Sequence, residues 1–125
     1  MKPLVFALPD NEAFASGLAR EAGGELGQLT LRRFPDQESY VRIETPVTGR
    51  RVILVCSLHR PDDKVLQILF AAATAKELGA HSVGLAAPYL AYMRQDRRFN
   101  EGVAVTSLIL GRLLSGPIDW LITVD

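Results

Sequence analysis

The sequence predicts an α/β domain: a mainly parallel, doubly wound sheet, helices on both faces and one antiparallel hairpin. Three observations carry that expectation. The runs Arg51–Ser57 and Ser82–Ala87 are apolar at successive positions, as in strands covered on both faces. Segments with apolar residues at helical spacing, ended by glycine, separate such runs. The resulting order of strand–helix, hairpin, strand–helix, strand–helix, strand suits right-handed crossovers in one sheet.

Each element has its own signal. Leu4–Leu8 is a short apolar run fit for a first buried strand. Asn11 or Asp10 stands where it can cap the following helix, in which Phe14, Leu18 and Ala22 recur at helical spacing before Gly23-Gly24. Leu29–Arg32 and Ser39–Ile43 alternate in polarity, and Pro35-Asp36 between them is turn chemistry, so the pair reads as a hairpin. Asp62 and Asp63 favour a helix start after the strand Arg51–Ser57. Val65, Leu66, Leu69, Ala72, Ala73 and Leu78 then form an apolar stripe, and Gly79 suits the position just past the helix. After the strand Ser82–Ala87, Thr106 can cap a helix to about Ser115, which Gly116-Pro117 breaks. Trp120–Val124 reads as a core strand.

With 125 residues the chain is one domain. Fourteen basic and fourteen acidic residues cancel, so no global field favours nucleic acid or an anionic membrane, and any anion site must be local. The single cysteine, Cys56, cannot pair within the chain and reads as a small buried hydrophobe, compatible with a reducing compartment. The apolar run near Met1 is too short for a signal peptide and no other run approaches a membrane span, so the expected location is cytoplasmic. The chain stops one residue after an apparent core strand, where site-forming loops normally begin; the expectation is a fragment of something longer.

The most informative stretch is Tyr89–Arg98, directly after a buried strand. Arg94, Arg97 and Arg98 put three guanidinium groups beside the Asp96 carboxylate. Guanidinium forks match phosphate oxygens, and carboxyl ends of parallel strands are where ligands bind. A solvated basic loop is the competing reading, and the residues alone leave both open.

Two separated segments resemble one family. Arg33-Phe-Pro-Asp-Gln-Glu38 resembles the Arg-Phe-Pro-Asp-Gly-Glu motif of ribose-phosphate pyrophosphokinases (phosphoribosyl diphosphate synthases). Pro88-Tyr-Leu-Ala-Tyr-Met-Arg-Gln-Asp-Arg-Arg98 resembles their Pro-Tyr-x-x-Tyr-Ala-Arg-Gln-Asp-Arg-Lys segment. Thr106 falls where the family has a Ser or Thr opening a helix, and Ile122–Asp125 resembles the strand leading into an Asp-Leu-His segment. The likeness covers residues 1–125 as an amino-terminal domain, with the carboxy-terminal half absent.

The resemblance implies Mg²⁺-dependent transfer of the β,γ-diphosphoryl group of ATP to the C1 hydroxyl of ribose 5-phosphate, for nucleotide biosynthesis, by a homo-oligomer (typically a hexamer built from dimers). It implies that Phe34 stacks on adenine with Asp36 and Glu38 nearby, and that this hairpin serves a neighbouring subunit's site. It further implies ATP contacts from Arg94, Gln95 and Asp96, with Arg97 and Arg98 as additional phosphate contacts. The metal-binding His would lie beyond Asp125, so no metal ligand and no complete catalytic set is expected in this chain, and the fragment alone should be inactive. Three departures from the family stand out: Gln37 for the usual Gly, an altered 99–105 loop, and Leu108 in place of a common Lys. The altered 99–105 loop keeps a non-catalytic regulatory relative open as an alternative. A phosphoribosyltransferase ranks lower, because its acidic Thr-Gly loop is missing from these residues, and a pure binding module ranks last. Tyr89 and Tyr92 read as packing residues, His81 as a surface residue, and His59 as a weak site candidate.

Overall fold

A computed structural model describes residues 1–123. The elements run β1 (Leu4–Ala7), α1 (Glu12–Glu21), β2 (Glu25–Leu26), β3 (Leu29–Arg33), β4 (Ser39–Ile43), β5 (Arg51–Val55), α2 (Pro61–Glu77), β6 (Ser82–Ala87), α3 (Thr106–Ser115) and β7 (Trp120–Thr123). Five strands form one parallel sheet in the order β2-β1-β5-β6-β7, and β3-β4 form a separate antiparallel pair. The expected doubly wound sheet with a hairpin is therefore present. Val124, assigned from sequence to the last strand, and Asp125, assigned to the start of the next segment, lie outside the described residues.

The sheet reverses direction between β1 and β5. From β1 the chain moves outward through α1 to β2; from β5 it moves the other way through α2 to β6. Right-handed crossovers then force α1 onto one face and α2 and α3 onto the other. The two cores match: Val5, Ile53, Val55 and Ala86 meet Ala15 and Ala19 of α1, whereas Leu4, Phe6, Leu54 and Leu85 meet Ile68, Ala72 and Leu110 on the opposite face. The hairpin adds to this second core. Leu29 and Leu31, in register with Ile43 and Val41, pack against it as the alternation predicts.

Several sequence expectations need correction. The buried face of α1 is Ala15 and Ala19; Phe14 and Ala22 are exposed, and only Leu18 of the expected stripe packs inward. In α2 the buried residues are Ile68, Ala71, Ala72 and Ala75, while Leu66, Ala73 and Leu78 face out. Alanine faces let helices approach a sheet closely, and larger residues are left for the flanks. Asn11 occupies the N-cap position of α1 but makes no side-chain cap bond, and Thr106 is the first residue of α3 rather than its cap, with its Oγ1 buried and unpaired. Gly79 does follow α2 with φ +96°. The short edge strand β2 has no periodic signal; Arg50 holds it by binding Glu25 and the Lys2 carbonyl. β7 is an edge strand with Trp120, Leu121 and Ile122 exposed, not a core strand. Its indole lies on β6 at Gly84, where a Cβ would come within 1.9 Å of the ring.

Asp119 fastens this edge. Its Oδ1 accepts from Lys76 Nζ of α2 at 2.6 Å and its Oδ2 from the Val83 N–H at 2.8 Å. Lys76 first, and the Val83 N–H second, hold the Asp119 carboxyl below the ordinary carboxylate value. A carboxyl whose native pKa lies below its unfolded value of about 3.9 stabilises the fold above that value and loses the effect as pH falls through the native one. Denaturant unfolding of Asp119→Asn should therefore show a deficit against wild type that stays constant from pH 7 to about 5 and closes below about 4.

Candidate functional site

The carboxyl ends of β1, β5 and β6 form one rim. Asn11 ties it across the reversal point: its Nδ2 donates to the Pro9 carbonyl at 2.8 Å and its Oδ1 accepts the Ser57 N–H at 2.9 Å. The Leu58 N–H donates to the Tyr89 carbonyl at 2.8 Å, joining the loops after β5 and β6. Among the described residues four other than glycine have positive φ, and three of them, Asp10, Arg60 and Tyr92, stand on this rim. Left-handed backbone at non-glycine residues gathers where a site constrains the chain.

A cavity of about 770 Å³ opens over β5 and β6, lined by His59, Arg60, Tyr89, Arg94 and Gln95, with Pro61, Asp62 and Asp63 of α2 among its other walls. His59 and Tyr89 stack on each other, centroids 4.5 Å apart and planes 6° from parallel. The N-terminus of α2 has no side-chain cap, so its free N–H groups and the positive end of its dipole favour an anion there. The carboxylates are already engaged: Asp62 accepts from the Tyr92 hydroxyl, and Asp63 pairs with Arg33 at 3.5 Å. Arg60 and Arg94 form no ion pair among the described residues. Arg60, Arg94 and the start of α2 therefore border one solvent-open space.

The hairpin builds a second groove of about 450 Å³ on the other side of the same helix turn, lined by Arg33, Phe34, Glu38, Leu66 and Phe70 and sharing Asp62 and Asp63 with the first. Phe34 is exposed and meets Tyr40 edge-on at 5.7 Å, and the Arg32 guanidinium lies 4.5 Å from the Tyr40 ring centre. The turn is closed by Phe34 N–H to Glu38 carbonyl and Gln37 N–H to Phe34 carbonyl, both 2.8 Å. Asp36 accepts the Glu38 N–H at 3.1 Å and so shapes the turn.

Of the residues singled out from sequence, Arg94 and Gln95 share one cavity, and Phe34 and Glu38 share the neighbouring groove. Asp36, Asp96, Arg97 and Arg98 line neither. Arg97 lies 4.9 Å over the Phe99 ring, and Arg98 donates to the Val103 carbonyl at 2.9 Å. Tyr92 packs against the core as expected of a packing residue, and His59, Tyr89, Tyr92 and Arg60, the last not singled out from sequence, also line the cavity; only their position after a buried strand could have signalled this. Cys56 is buried, which pushes its thiol up to about 11 and keeps it protonated as a packing group. Among the described residues no three His, Cys, Asp or Glu side chains converge to hold a metal ion. Nor is any helix among them long and apolar enough to cross a membrane.

Comparison with known proteins settles the family. Residues 3–116 match the model for the N-terminal domain of ribose phosphate pyrophosphokinase. The chain belongs to that family. A ribose-phosphate pyrophosphokinase 1 of Streptococcus pneumoniae is 36% identical over 123 residues, which is 97% of this chain and 38% of that protein. The chain thus spans well under half the length of this curated relative. Among solved structures, phosphoribosylpyrophosphate synthetase from Mycobacterium smegmatis superposes with a TM-score of 0.90 at 20% identity, covering all of this chain and 43% of that one. A purine phosphoribosyltransferase from Pyrococcus horikoshii shares the fold more loosely, with a TM-score of 0.51 at 16% identity over 70% of this chain and 60% of that one.

Gln37, which stands where the motif resemblance would put a glycine, has φ +76°. A side chain there costs about 1–2 kcal/mol relative to a residue without Cβ. Gln37→Gly should raise the unfolding free energy by about 1 kcal/mol in thermal or denaturant melts, with the β3-β4 register unchanged.

Proposed function

We propose that this chain is the amino-terminal part of a longer, cytoplasmic ribose-phosphate pyrophosphokinase, and that its cavity over β5 and β6 receives the phosphates of ATP. The observation that carries the reading is the convergence of two unpaired guanidinium groups, Arg60 and Arg94, on the uncapped start of α2. Such a space suits a polyphosphate and gives a neutral ligand little. The family match supports ATP and ribose 5-phosphate as substrates and diphosphoryl transfer as the reaction.

In the proposed reaction the C1 hydroxyl oxygen of ribose 5-phosphate attacks the β-phosphorus of ATP. The bond from that phosphorus to the bridging α,β oxygen breaks, AMP leaves with its electron pair, and the hydroxyl proton passes to solvent or a base outside this chain. Mg²⁺, by family resemblance, would add charge neutralisation from ligands outside the described residues. Transfer of this kind needs positioning and charge stabilisation more than covalent help. Arg94 supplies a fork to the moving phosphoryl oxygens and Gln95 an amide beside it. Phe34 offers its face to adenine and Glu38 an acceptor to the exocyclic amine. Since Phe34 lines a groove separate from the Arg94 cavity, the proposal pairs the hairpin of one protomer with the phosphate cavity of a second, in a homo-oligomer. Asp36 serves by shaping the turn, while Asp96, Arg97 and Arg98 stand outside the cavity and meet only a ligand extending past its rim.

A second reading has one observation in its favour. Arg97 and Arg98 are bound within their own loop, by Phe99 and Val103, as a regulatory relative that has lost loop chemistry would show. One assay separates the two. The full-length protein, given β-³²P-labelled ATP and ribose 5-phosphate, should form labelled phosphoribosyl diphosphate and AMP in equal amounts, and residues 1–125 alone should form none. Absence of product from the full-length protein would favour the regulatory relative. In the active protein, Phe34→Ala should weaken ATP binding by roughly 5- to 150-fold, taking base–aromatic stacking in single-stranded nucleic acids as the guide. Arg94→Ala should lower kcat as well as affinity, and Arg94→Lys should recover only part, because an ammonium keeps the charge and loses the fork. If Phe34 only plugs the turn, its replacement will lower the melting temperature and leave the KM for ATP unchanged.

A further inference from the structure

We propose that Tyr92 and Asp62 are a positioning pair, whose hydroxyl–carboxylate hydrogen bond fixes the 88–95 loop so that Arg94 and Gln95 both face the cavity over β5 and β6. The inference rests on the reading of that cavity as the ATP phosphate site. Its observations are separate from the family motif. At its base the loop is pinned by the backbone bond from Leu58 to Tyr89. At its tip Met93, Arg94 and Gln95 are exposed, and the side-chain anchor beside them is Tyr92. The Tyr92 ring packs against the core and its hydroxyl donates to the Asp62 carboxylate in the first turn of α2.

The backbone carries the constraint onward. Tyr92 is held at φ +66°, a conformation that a non-glycine residue keeps only when its surroundings impose it. In that conformation its carbonyl accepts the Gln95 N–H at 3.1 Å, and the Gln95 carbonyl accepts the Ser107 N–H of α3 at 3.2 Å. The two residues next to Tyr92 on the cavity side are thus strung between α2 and α3. Donating to Asp62 also raises the Tyr92 phenol above its ordinary value, so it remains a donor throughout the neutral range. Asp62 itself borders the Arg94 cavity, the hairpin groove and a smaller apolar pocket beside α3.

Kinetics of the full-length protein with ATP and ribose 5-phosphate test the pair. Tyr92→Phe keeps the ring and removes only the donor; Asp62→Ala removes the acceptor; Asp62→Asn retains an acceptor oxygen. Tyr92→Phe and Asp62→Ala should each lower kcat by roughly 10- to 100-fold, the scale on which a misplaced reacting group acts. The double variant should be no worse than the worse single, Asp62→Asn should recover most of the loss, and the KM for ribose 5-phosphate should not move. A Tyr92→Phe enzyme with wild-type kcat, even one that melts lower, overturns the pair while leaving the ATP reading intact. Losses that multiply in the double variant also overturn it. A wild-type protein with no turnover overturns the ATP reading of the cavity, and the pair's role with it.

Discussion

Two consecutive carboxylates in the first turn of α2 hold the working surface of this domain together. Asp62 receives the Tyr92 hydroxyl from the loop after β6, and Asp63 receives Arg33 from the hairpin. The two motif segments, more than fifty positions apart in sequence, are thereby fastened to neighbouring residues of one helix. Exposed contacts of this kind, one a hydrogen bond and one an ion pair, add little to stability, so their importance is geometric. Both carboxylates also border the cavity, where Arg60 and Arg94 supply the opposing positive charge.

The parallel sheet explains why this happens at one rim. Strands buried on both faces leave only their ends to solvent, and in a doubly wound sheet the loops at the carboxyl ends diverge around the reversal point. Here that point lies between β1 and β5, bridged by Asn11. Positive φ at Asp10, Arg60 and Tyr92 shows the chain bent hardest along the same rim. The helices are packed through alanine faces, Ala15 and Ala19 on one side and Ala71, Ala72 and Ala75 on the other, which brings the α2 N-terminus close over the strand ends.

Much of this was legible in the sequence. The buried strands announce themselves by unbroken apolar runs, and the hairpin by alternation about Pro35-Asp36. Helix faces were harder. α1 and α2 carry apolar residues around much of their circumference, so spacing favoured the large ones, Phe14 and Leu66, whereas close packing on a sheet selected alanines. Asn11 and Thr106 looked like caps because a cap is the commonest local use of such residues; Asn11 instead makes a contact forty-six positions away that no local pattern encodes. The same limit hid the partners of Asp62 and Asp63. As a pair they read as dipole-favouring acids, and only the folded chain shows what each one holds.

Amide hydrogen exchange on this chain, comparing wild type with Asp62→Ala/Asp63→Ala, tests the organising role of that turn most directly. Protection should fall at the Phe34, Gln37 and Gln95 amides, which close the two motif turns, while Leu8 and Cys56, bonded within the sheet rim, keep theirs. Unchanged protection at Phe34, Gln37 and Gln95, or an equal loss across the sheet, would contradict the account.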